Sequence, residues 1–281
     1  MLGSVSDAED IAQEALLRWH QADRSEVRSP EAWLVTVATR LALDQLRRSA
    51  AERAAYVGPW LPEPWLETEP DVADDSRPDR RLERAGDLSM AAMALLERLG
   101  PEERAAFLLR DVYDIDYPAI ASALDSTEAN CRQMVRRARQ RVREDRPRFA
   151  ASRAEQRDML QRLLAAARAH DQARVLELLA PDIRYVTDGG GKRAAASRPV
   201  TGLARVTRLV VKLWQKTHGR GVHRLLTLNA QPTVVTWLDG EAFATMSLDV
   251  RDGAIRAVHR VLNPDKLRRI AALGPEAGEP I

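Results

Sequence analysis

The sequence has a single cysteine, four lysines and few aromatic residues, and these shortages exclude several classes of protein. Cys131 alone cannot form an internal disulfide, and the five histidines show no spacing typical of a metal site. No apolar run is long enough to span a membrane, and no segment has the pattern of a signal peptide. The sequence therefore predicts a cytoplasmic protein that needs no disulfide, metal or cofactor.

The composition is that of a globular protein interrupted by two charged segments. Of the 281 residues, 45% are hydrophobic and 30% are charged, which suits two or three small domains. Residues 50–79 contain eight acidic residues, two arginines and five prolines, a composition typical of an extended linker. Residues 127–148 contain eight arginines and three acidic residues, a local excess that the net charge of +2 hides. Such an excess attracts phosphate groups, although a solvated helix face is the alternative.

The basic segment is the second helix of a predicted helix-turn-helix. Pro118 begins a short first helix, and Ser126-Thr127-Glu128 ends it and caps the next. The second helix carries arginine, asparagine and glutamine on one side and apolar residues on the other. A helix of this size fits the DNA major groove, where these polar side chains pair with base edges.

Two helices are predicted upstream of the linker and two more between it and the helix-turn-helix. Ser6-x-x-Glu9 has the form of a capping box, and Ser29-Pro30 is a start signal for a helix to about residue 48. Residues 80–98 and 101–112 are predicted to be helical, with a break at Gly100-Pro101. The linker contains two tryptophans, Trp60 and Trp65, and we expect them to dock elsewhere on the chain.

The pattern after residue 151 predicts an α+β domain. Helices at 152–169 and 172–179 precede five alternating segments typical of strands, at 183–187, 222–228, 233–238, 242–250 and 255–262. Asp239-Gly240 and Asp252-Gly253 are strong hairpin turns. A further helix at 203–216 falls between the first strand and the others.

The first half of the chain resembles the extracytoplasmic-function sigma factors of bacterial RNA polymerase. DAEDIAQEALLRW at 7–19 is similar to their polymerase-binding helix, and SPEAWLVTVATRLALDQLRR at 29–48 to the helix for the downstream (−10) promoter element. Residues 96–142 are similar to their second DNA-binding domain, which reads the upstream (−35) element. The resemblance implies a protein that directs polymerase to promoters and initiates transcription, with core polymerase and both double-stranded and melted promoter DNA as partners.

The rest of the chain, the linker included, resembles a subgroup that carries a fused SnoaL-like domain, also called nuclear transport factor 2-like. Its signatures are WLPEP at 60–64, DGGGK at 188–192 and NPDKL at 263–267. The implied fold is multidomain: two all-α sigma domains, the second with the helix-turn-helix, and then an α+β SnoaL-like cone domain. The expected boundaries are 1–49 for sigma region 2, 50–79 for the linker, 80–148 for sigma region 4 and 151–281 for the SnoaL-like domain.

Family members normally have another helix before the motif that begins here at Met1. Region 2 as given is therefore expected to be incomplete at its N-terminus: either the true start lies upstream of Met1, or the product is truncated. In the second case Ile11, Leu16 and Trp19 are expected to be partly exposed.

The resemblance implies three sets of binding residues, one for each partner surface. The sets are Asp7, Asp10, Gln13 and Glu14 for polymerase; Trp33, Arg40, Arg47 and Arg48 for the −10 element; Asn130, Arg132, Gln133, Arg136 and Arg137 for the −35 element. Loop 21–29 is expected to assist the −10 set.

The motifs of the C-terminal domain are expected to make regulatory contacts. The NPDKL motif is expected to begin a helix with Asn263 as its cap. Asp188 and Lys192 are expected to form an ion pair or an interdomain contact. The regulatory contacts are expected from Trp60, Leu61, Pro62, Asp188, Gly189, Gly190, Gly191, Lys192, Asn263, Pro264, Asp265, Lys266 and Leu267.

Catalysis is not expected, because no motif joins a base to an oxyanion-stabilising donor in the cone domain. The isolated candidates are His170, Asp182, Tyr185, Asp188, His218, His223 and His259. Two rival readings remain: a helix-turn-helix transcription regulator with a ligand-binding SnoaL-like domain, and an enzyme tethered to a DNA-binding module. Whether the SnoaL-like pocket takes a small molecule stays open.

Overall fold

A computed structural model describes residues 1–27, 29–66, 90–145, 151–217 and 220–281. The described residues fall into two compact units. The first is helical and consists of residues 1–55 and 93–145, and the second consists of residues 56–66, 90–92 and 151–281. The segment 56–66 thus belongs to the C-terminal unit although it directly follows a helix of the first.

The helical unit begins with two long helices that pack on each other, and the second starts where the sequence predicts. Ser29 accepts a hydrogen bond from the backbone of Ala32, with Pro30 in the first turn. The cap of the first helix is Ser4, which accepts from the Asp7 backbone at 3.3 Å, so the capping box predicted at Ser6 is wrong. The two helices are α1, Val5–Gln21, and α2, Pro30–Ala54, with a 3₁₀ turn at Arg24–Glu26 between them.

Helix α2 continues about six residues beyond its expected end. The reason is local, because SAAERA at 49–54 is rich in helix-forming residues and contains no breaker. The part of the predicted linker from residue 67 onward, and the helix predicted from residue 80 as far as residue 89, lie outside the described residues.

The helix-turn-helix forms as predicted. Asp116 caps the first helix by accepting from the Ala119 backbone at 3.0 Å, and Thr127 caps the second by accepting from the Asn130 backbone at 3.2 Å. Its core contains Ile120, Cys131 and other apolar residues of both helices. Burial raises the pKa of the Cys131 thiol, as suits a core position. The helices of this half are α3, Met90–Leu96; α4, Pro101–Phe107, continued by a π-helical turn at Leu108–Val112; α5, Tyr117–Ala123; and α6, Glu128–Asp145.

The C-terminal unit is a seven-stranded sheet packed against helices, an α+β arrangement as the sequence pattern predicts. The strand order is β2-β1-β6-β5-β4-β3-β7, and every neighbouring pair is antiparallel except β1 and β6. Two strands, β2 and β7, are only two residues long and were not expected. The elements are α7, Arg153–Arg168; α8, Gln172–Leu178; β1, Leu179–Asp188; β2, Val200–Thr201; α9, Leu203–Thr217; β3, Gly221–Leu228; β4, Gln231–Leu238; β5, Glu241–Arg251; β6, Ala254–Val261; α10, Arg268–Ala271; and β7, Glu279–Pro280.

The main core lies between the sheet and helices α7, α8 and α9. Ile183 and Tyr185 of β1 point into it, and Val258 of β6 pairs with Tyr185 on the same face. Leu163 of α7 is fully buried there.

Shortening a core leucine should destabilise the C-terminal unit, whereas shortening a surface leucine should not. We expect Leu163→Ala to lower the free energy of unfolding by about 2–5 kcal/mol, because it leaves a cavity in the core. The matched control is Leu176→Ala, whose side chain is 42% exposed and should cost less than about 0.5 kcal/mol. Urea unfolding of both variants measures the difference, and equal losses would contradict the assigned core.

Candidate functional site

The three signatures WLPEP, DGGGK and NPDKL meet at one buried carboxylate, that of Asp188. This residue ends β1 and is fully buried. Its side chain accepts hydrogen bonds from the Tyr56 hydroxyl at 2.5 Å and from the Leu61 backbone at 2.8 Å. Lys266 donates to it at 2.7 Å. The buried charge is therefore matched by a cation and two further donors, which a buried carboxylate requires.

Lys266 joins the same carboxylate to the WLPEP segment. Its ammonium donates to the Leu61 carbonyl at 2.5 Å and lies 3.8 Å above the ring centroid of Trp60 and 5.0 Å from that of Tyr56. Only 12% of the side chain is exposed, so these cation–π contacts are partly desolvated and strong. Trp60 is half-buried as a result, and Leu61 is 2% exposed.

The expected ion pair between Asp188 and Lys192 is wrong. The two motifs exchange partners: Lys192 pairs with Asp265 at 2.5 Å, and Asp188 pairs with Lys266. The hydrogen bond from Lys192 is the main reason that the pKa of Asp265 lies below its usual value. The first pair is exposed and the second is buried, so the Asp188 pair is the one that holds the WLPEP segment.

The NPDKL motif forms a turn, and the prediction that it begins a helix is wrong. Asn263 accepts from the Asp265 backbone at 3.0 Å, and the following helix, α10, starts only at Arg268. Backbone N–H groups of Leu262 and Asn263 donate to the Asp188 carbonyl at 2.7 and 3.0 Å. These bonds direct the chain away from a helix and bring Lys266 to the carboxylate.

Gly190 explains why the DGGGK loop is rich in glycine. Its φ is +58°, and a Cβ atom there would lie 2.3 Å from the Asn263 amide nitrogen and 2.9 Å from the Tyr56 hydroxyl. Only glycine fits both this left-handed conformation and this close approach.

Two residues of this site were not found from the sequence, Tyr56 and Asn229. Burial and the hydrogen bond to Asp188 raise the pKa of Tyr56, so its hydroxyl stays a donor. Asn229, in the β3–β4 turn, donates to the Glu63 carbonyl at 3.2 Å and to that of Trp65 at 3.0 Å. Asn-Ala in a turn gives no signal of a contact 164 residues away. The linker-docking cluster is the set Tyr56, Trp60, Leu61, Asp188, Gly190, Asn229, Asn263 and Lys266.

Both linker tryptophans were expected to dock elsewhere on the chain, and they do so to different extents. Trp60 contacts Lys266, whereas Trp65 is docked by its backbone to Asn229 and keeps 41% of its surface exposed. Pro62, Glu63 and Pro64, which lie between the two tryptophans, are buried.

The predicted −35 residues lie on the exposed side of α6. Gln133 and Arg136 are exposed, and Arg137 pairs with Glu103 of α4 at 2.8 Å. Arg132 pairs with Glu128 and lies 5.0 Å from the Tyr117 ring, while Asn130 donates to Ser126.

The predicted −10 residues lie along α2, and several are engaged by other side chains. Trp33 is half-buried against Trp19 at 5.4 Å between ring centroids. Arg40 donates to carbonyls at the end of α5, Arg47 pairs with Glu102, and Arg48 donates to the Asp44 carbonyl. Arg28 of the loop expected to assist them lies outside the described residues.

The predicted polymerase-binding residues lie on α1 with unequal exposure. Asp10 and Gln13 are exposed, Asp7 accepts from Gln45 at 3.5 Å, and Glu14 pairs with Arg18 at 2.8 Å. Leu16 is 52% exposed, and Ile11 and Trp19 are half-buried.

The isolated catalytic candidates of the cone domain are dispersed. Tyr185 pairs with Val258, so the next residue, His259, points to the opposite face of the sheet, where burial lowers its pKa to about 4. His223 stacks on Trp214 at 4.6 Å. His170 and Asp182 are exposed, Asp188 serves the linker, and His218 lies outside the described residues.

Comparison with known proteins gives matches over both halves. The family model for Sigma-70 region 2 matches residues 1–52, and that for Sigma-70, region 4 matches residues 89–142. The ECF RNA polymerase sigma factor SigJ of Mycobacterium tuberculosis is 38% identical over 278 residues, which cover 95% of this chain and 87% of SigJ. A probable ECF sigma factor of the same species, SigI, is 27% identical and covers 97% of this chain and 90% of its own. The crystal structure of SigJ superposes with a TM-score of 0.74, over 95% of this chain and 91% of that chain.

Adding a methyl group at Gly190 should loosen the linker. We expect Gly190→Ala to speed hydrogen exchange at the Leu61 amide, because the new Cβ displaces the Asn263 side chain and the Tyr56 hydroxyl, and that hydroxyl donates to Asp188. The control is Gly240→Ala, which has φ +84° and open space around its Cβ and so costs only about 1–2 kcal/mol of backbone strain. Faster exchange in both variants, or in neither, would contradict the assigned contact.

Proposed function

This chain belongs to the extracytoplasmic-function sigma factors, and we propose that its SnoaL-like domain regulates initiation by binding the linker between the two DNA-reading regions. Proteins of this family bind core RNA polymerase and promoter DNA and are not enzymes. None of the described helices is long and apolar enough to cross a membrane. The observation that carries the proposal is the linker-docking cluster around Asp188.

We assign region 2 to residues 1–54, because α2 continues to Ala54. We assign region 4 to helices α3 to α6. Region 4 would read the −35 element through α6, as the exposure of Gln133 and Arg136 supports. The exposed Asp10 and Gln13 of α1 would contact polymerase. On α6 the polar side chains stand opposite the buried residues Met134, Val135 and Ala138, which gives them a fixed support.

Linker binding would act on the connection between the two regions. The captured segment, residues 56–66, starts two residues after α2 ends. Its release would add eleven residues to the connection, up to about 36–40 Å of maximum span. Because a longer connection lowers the local concentration of one tethered module at the other's site, capture would favour simultaneous reading of both promoter elements.

Neutralising Asp188 should release the linker and lower transcription. We expect Asp188→Asn to reduce run-off transcription with core polymerase by about two-fold, since local concentration falls roughly as the −3/2 power of connection length. The substitution leaves the Lys266 ammonium buried without its anion, which is strongly unfavourable.

The matched control is Asp182→Asn, which makes the same chemical change in the exposed pair with Arg256 of the same domain. Circular dichroism checks that the domain stays folded in both variants. Wild-type output from a folded Asp188→Asn variant whose Leu61 amide exchanges rapidly would sink the regulatory proposal.

Removing an arginine from α6 should weaken binding to the upstream element. We expect Arg136→Ala or Arg137→Ala to cost about 1–3 kcal/mol if the side chain contacts a base with two hydrogen bonds. Arg162→Ala of α7, which removes an equally charged exposed side chain elsewhere, serves as the control. Promoter affinity of the holoenzyme is the measurement, and unchanged affinity in both single variants and in the double variant would remove α6 from the recognition role.

A further inference from the structure

A buried arginine, Arg260, lies on the inner face of the sheet, the face that packs against the main core. This face also carries Tyr185 of β1 and Val258 of β6. Arg260 follows Val258 by two residues on the same strand, so its side chain is on the same face. In the ladder it pairs with Thr187 of β1 and with Met246 of β5. It is 7% exposed, so its charge is almost wholly removed from water.

The guanidinium of Arg260 contacts an aromatic ring and lacks an anionic partner within the described chain. It lies 5.9 Å from the centroid of the Phe243 ring. Of the residues that the structure describes, none accepts a hydrogen bond from it or forms an ion pair with it. A ring face attracts the charge, but it does not satisfy the five N–H donors of a guanidinium. A buried charge without such partners is strongly unfavourable.

The two buried carboxylates of the same strands are directed away from Arg260. Asp188 and Asp249 each directly follow a residue of the inner face, so the alternation along a strand places them on the outer face. There Asp188 binds Lys266 at 2.7 Å, and Asp249 binds Arg251 at 2.8 Å. Neither carboxylate therefore neutralises Arg260.

A second arginine at the same ring already has partners. Arg193 lies 4.9 Å from the Phe243 centroid and donates to the carbonyls of Ala242 at 3.2 Å and Phe243 at 2.5 Å. The Glu241 carboxylate is 4.0 Å away and offsets its charge. The positive charge that remains to be matched at this end of the inner face is therefore a single one, that of Arg260.

The helix wall opposite the sheet carries a further unsatisfied polar group. Thr207 of α9 is 3% exposed, and its hydroxyl has no hydrogen-bond partner in the described part of the chain. Its neighbours Val206 and Val210 belong to the main core, and α9 packs against β1. The helix wall and the sheet wall of one apolar core thus each contain a polar group that is available to a ligand, an arrangement typical of small-molecule sites.

From these observations we propose that the cone domain binds a small organic carboxylate, which accepts two hydrogen bonds from Arg260. The planar guanidinium presents parallel N–H groups that match the two oxygens of a carboxylate. One unmatched charge favours a singly charged ligand over a phosphate dianion, and the apolar lining from Met246 and Phe243 suits an organic body. The site is separate from the linker-docking cluster, because Asp188 lies on the outer face.

The test uses two fluorinated carboxylates of different size, fluoroacetate and 4-fluorobenzoate, with the full chain. Broadening of their ¹⁹F resonances measures binding, and we expect a Kd on the order of 1 mM for at least one of them, since such small molecules bind weakly. The neutral amides of the same shape, fluoroacetamide and 4-fluorobenzamide, should not bind, because they offer the guanidinium no charge. Equal binding of an amide, or no binding of either carboxylate up to about 20 mM, overturns the proposal.

Inorganic phosphate distinguishes a carboxylate site from a general oxyanion site. We expect phosphate not to displace a bound carboxylate at equal concentration. If phosphate displaces it as effectively as an unlabelled carboxylate does, the proposed ligand class is wrong.

Replacing the arginine should remove binding without unfolding the domain. We expect Arg260→Met to weaken carboxylate binding about 10- to 150-fold, the range that corresponds to hydrogen bonds with a charged group. Its urea midpoint without ligand should equal or exceed that of wild type, because an apolar side chain replaces an unpaired buried cation. The matched control is Arg256→Met on the same strand, which removes an exposed pair with Asp182 and should leave binding unchanged.

A second substitution keeps the test valid if circular dichroism shows that Arg260→Met does not fold. Arg260→Lys retains the charge but loses the fork of parallel donors, and it should weaken binding about tenfold. Wild-type affinity in the folded Arg260 variants, or an equal loss in Arg256→Met, excludes Arg260 as the carboxylate-binding residue.

Discussion

A fully buried carboxylate is the constraint on which the C-terminal half depends. Asp188 lies at the end of β1 and is fully buried, and an unpaired ion at such a depth is strongly unfavourable. Three groups donate hydrogen bonds to its carboxylate. The Tyr56 hydroxyl and the Leu61 backbone amide come from the linker, and the Lys266 ammonium comes from the NPDKL turn. Satisfying one charge therefore requires three separate parts of the chain to assemble, which couples linker position to the fold of the domain.

The choice of lysine at position 266 follows from the same site. The chain has 39 arginines and only four lysines, so a lysine here is unusual for its composition. An ammonium group is a compact charge with three donors and can approach the Asp188 carboxylate, the Leu61 carbonyl and the Trp60 ring together. The planar guanidinium of arginine is larger and holds its donors in a fixed fork, so it does not fit between these partners in the same way.

Most features with a local cause could be predicted from the sequence, the cap of α1 and the end of α2 excepted, whereas features with distant partners could not. Caps and turns such as Ser29-Pro30, Asp239-Gly240 and Thr127 act within a few residues, and the elements they delimit form as expected. The NPDKL turn was wrongly predicted as a helix because its bonds go to Asp188, far away in sequence. The exchange of ion-pair partners has the same origin. The regulatory role of the motifs stays a prediction, and only the fold shows which of their charges is buried.

Helix α2 contacts region 4 and leads directly into the captured segment. Ala42 and Leu46 pack in the core of region 2, Arg40 and Arg47 engage region 4, and the chain enters the captured segment directly after Ala54. Exposure alone would have classed Arg47 as an available cation, yet its N–H groups already have an acceptor. Because that acceptor is half-exposed and salt-accessible, the Arg47 pair is weak, whereas the buried contacts of Asp188 cannot be exchanged so easily. The buried contact is therefore the one suited to fixing the linker.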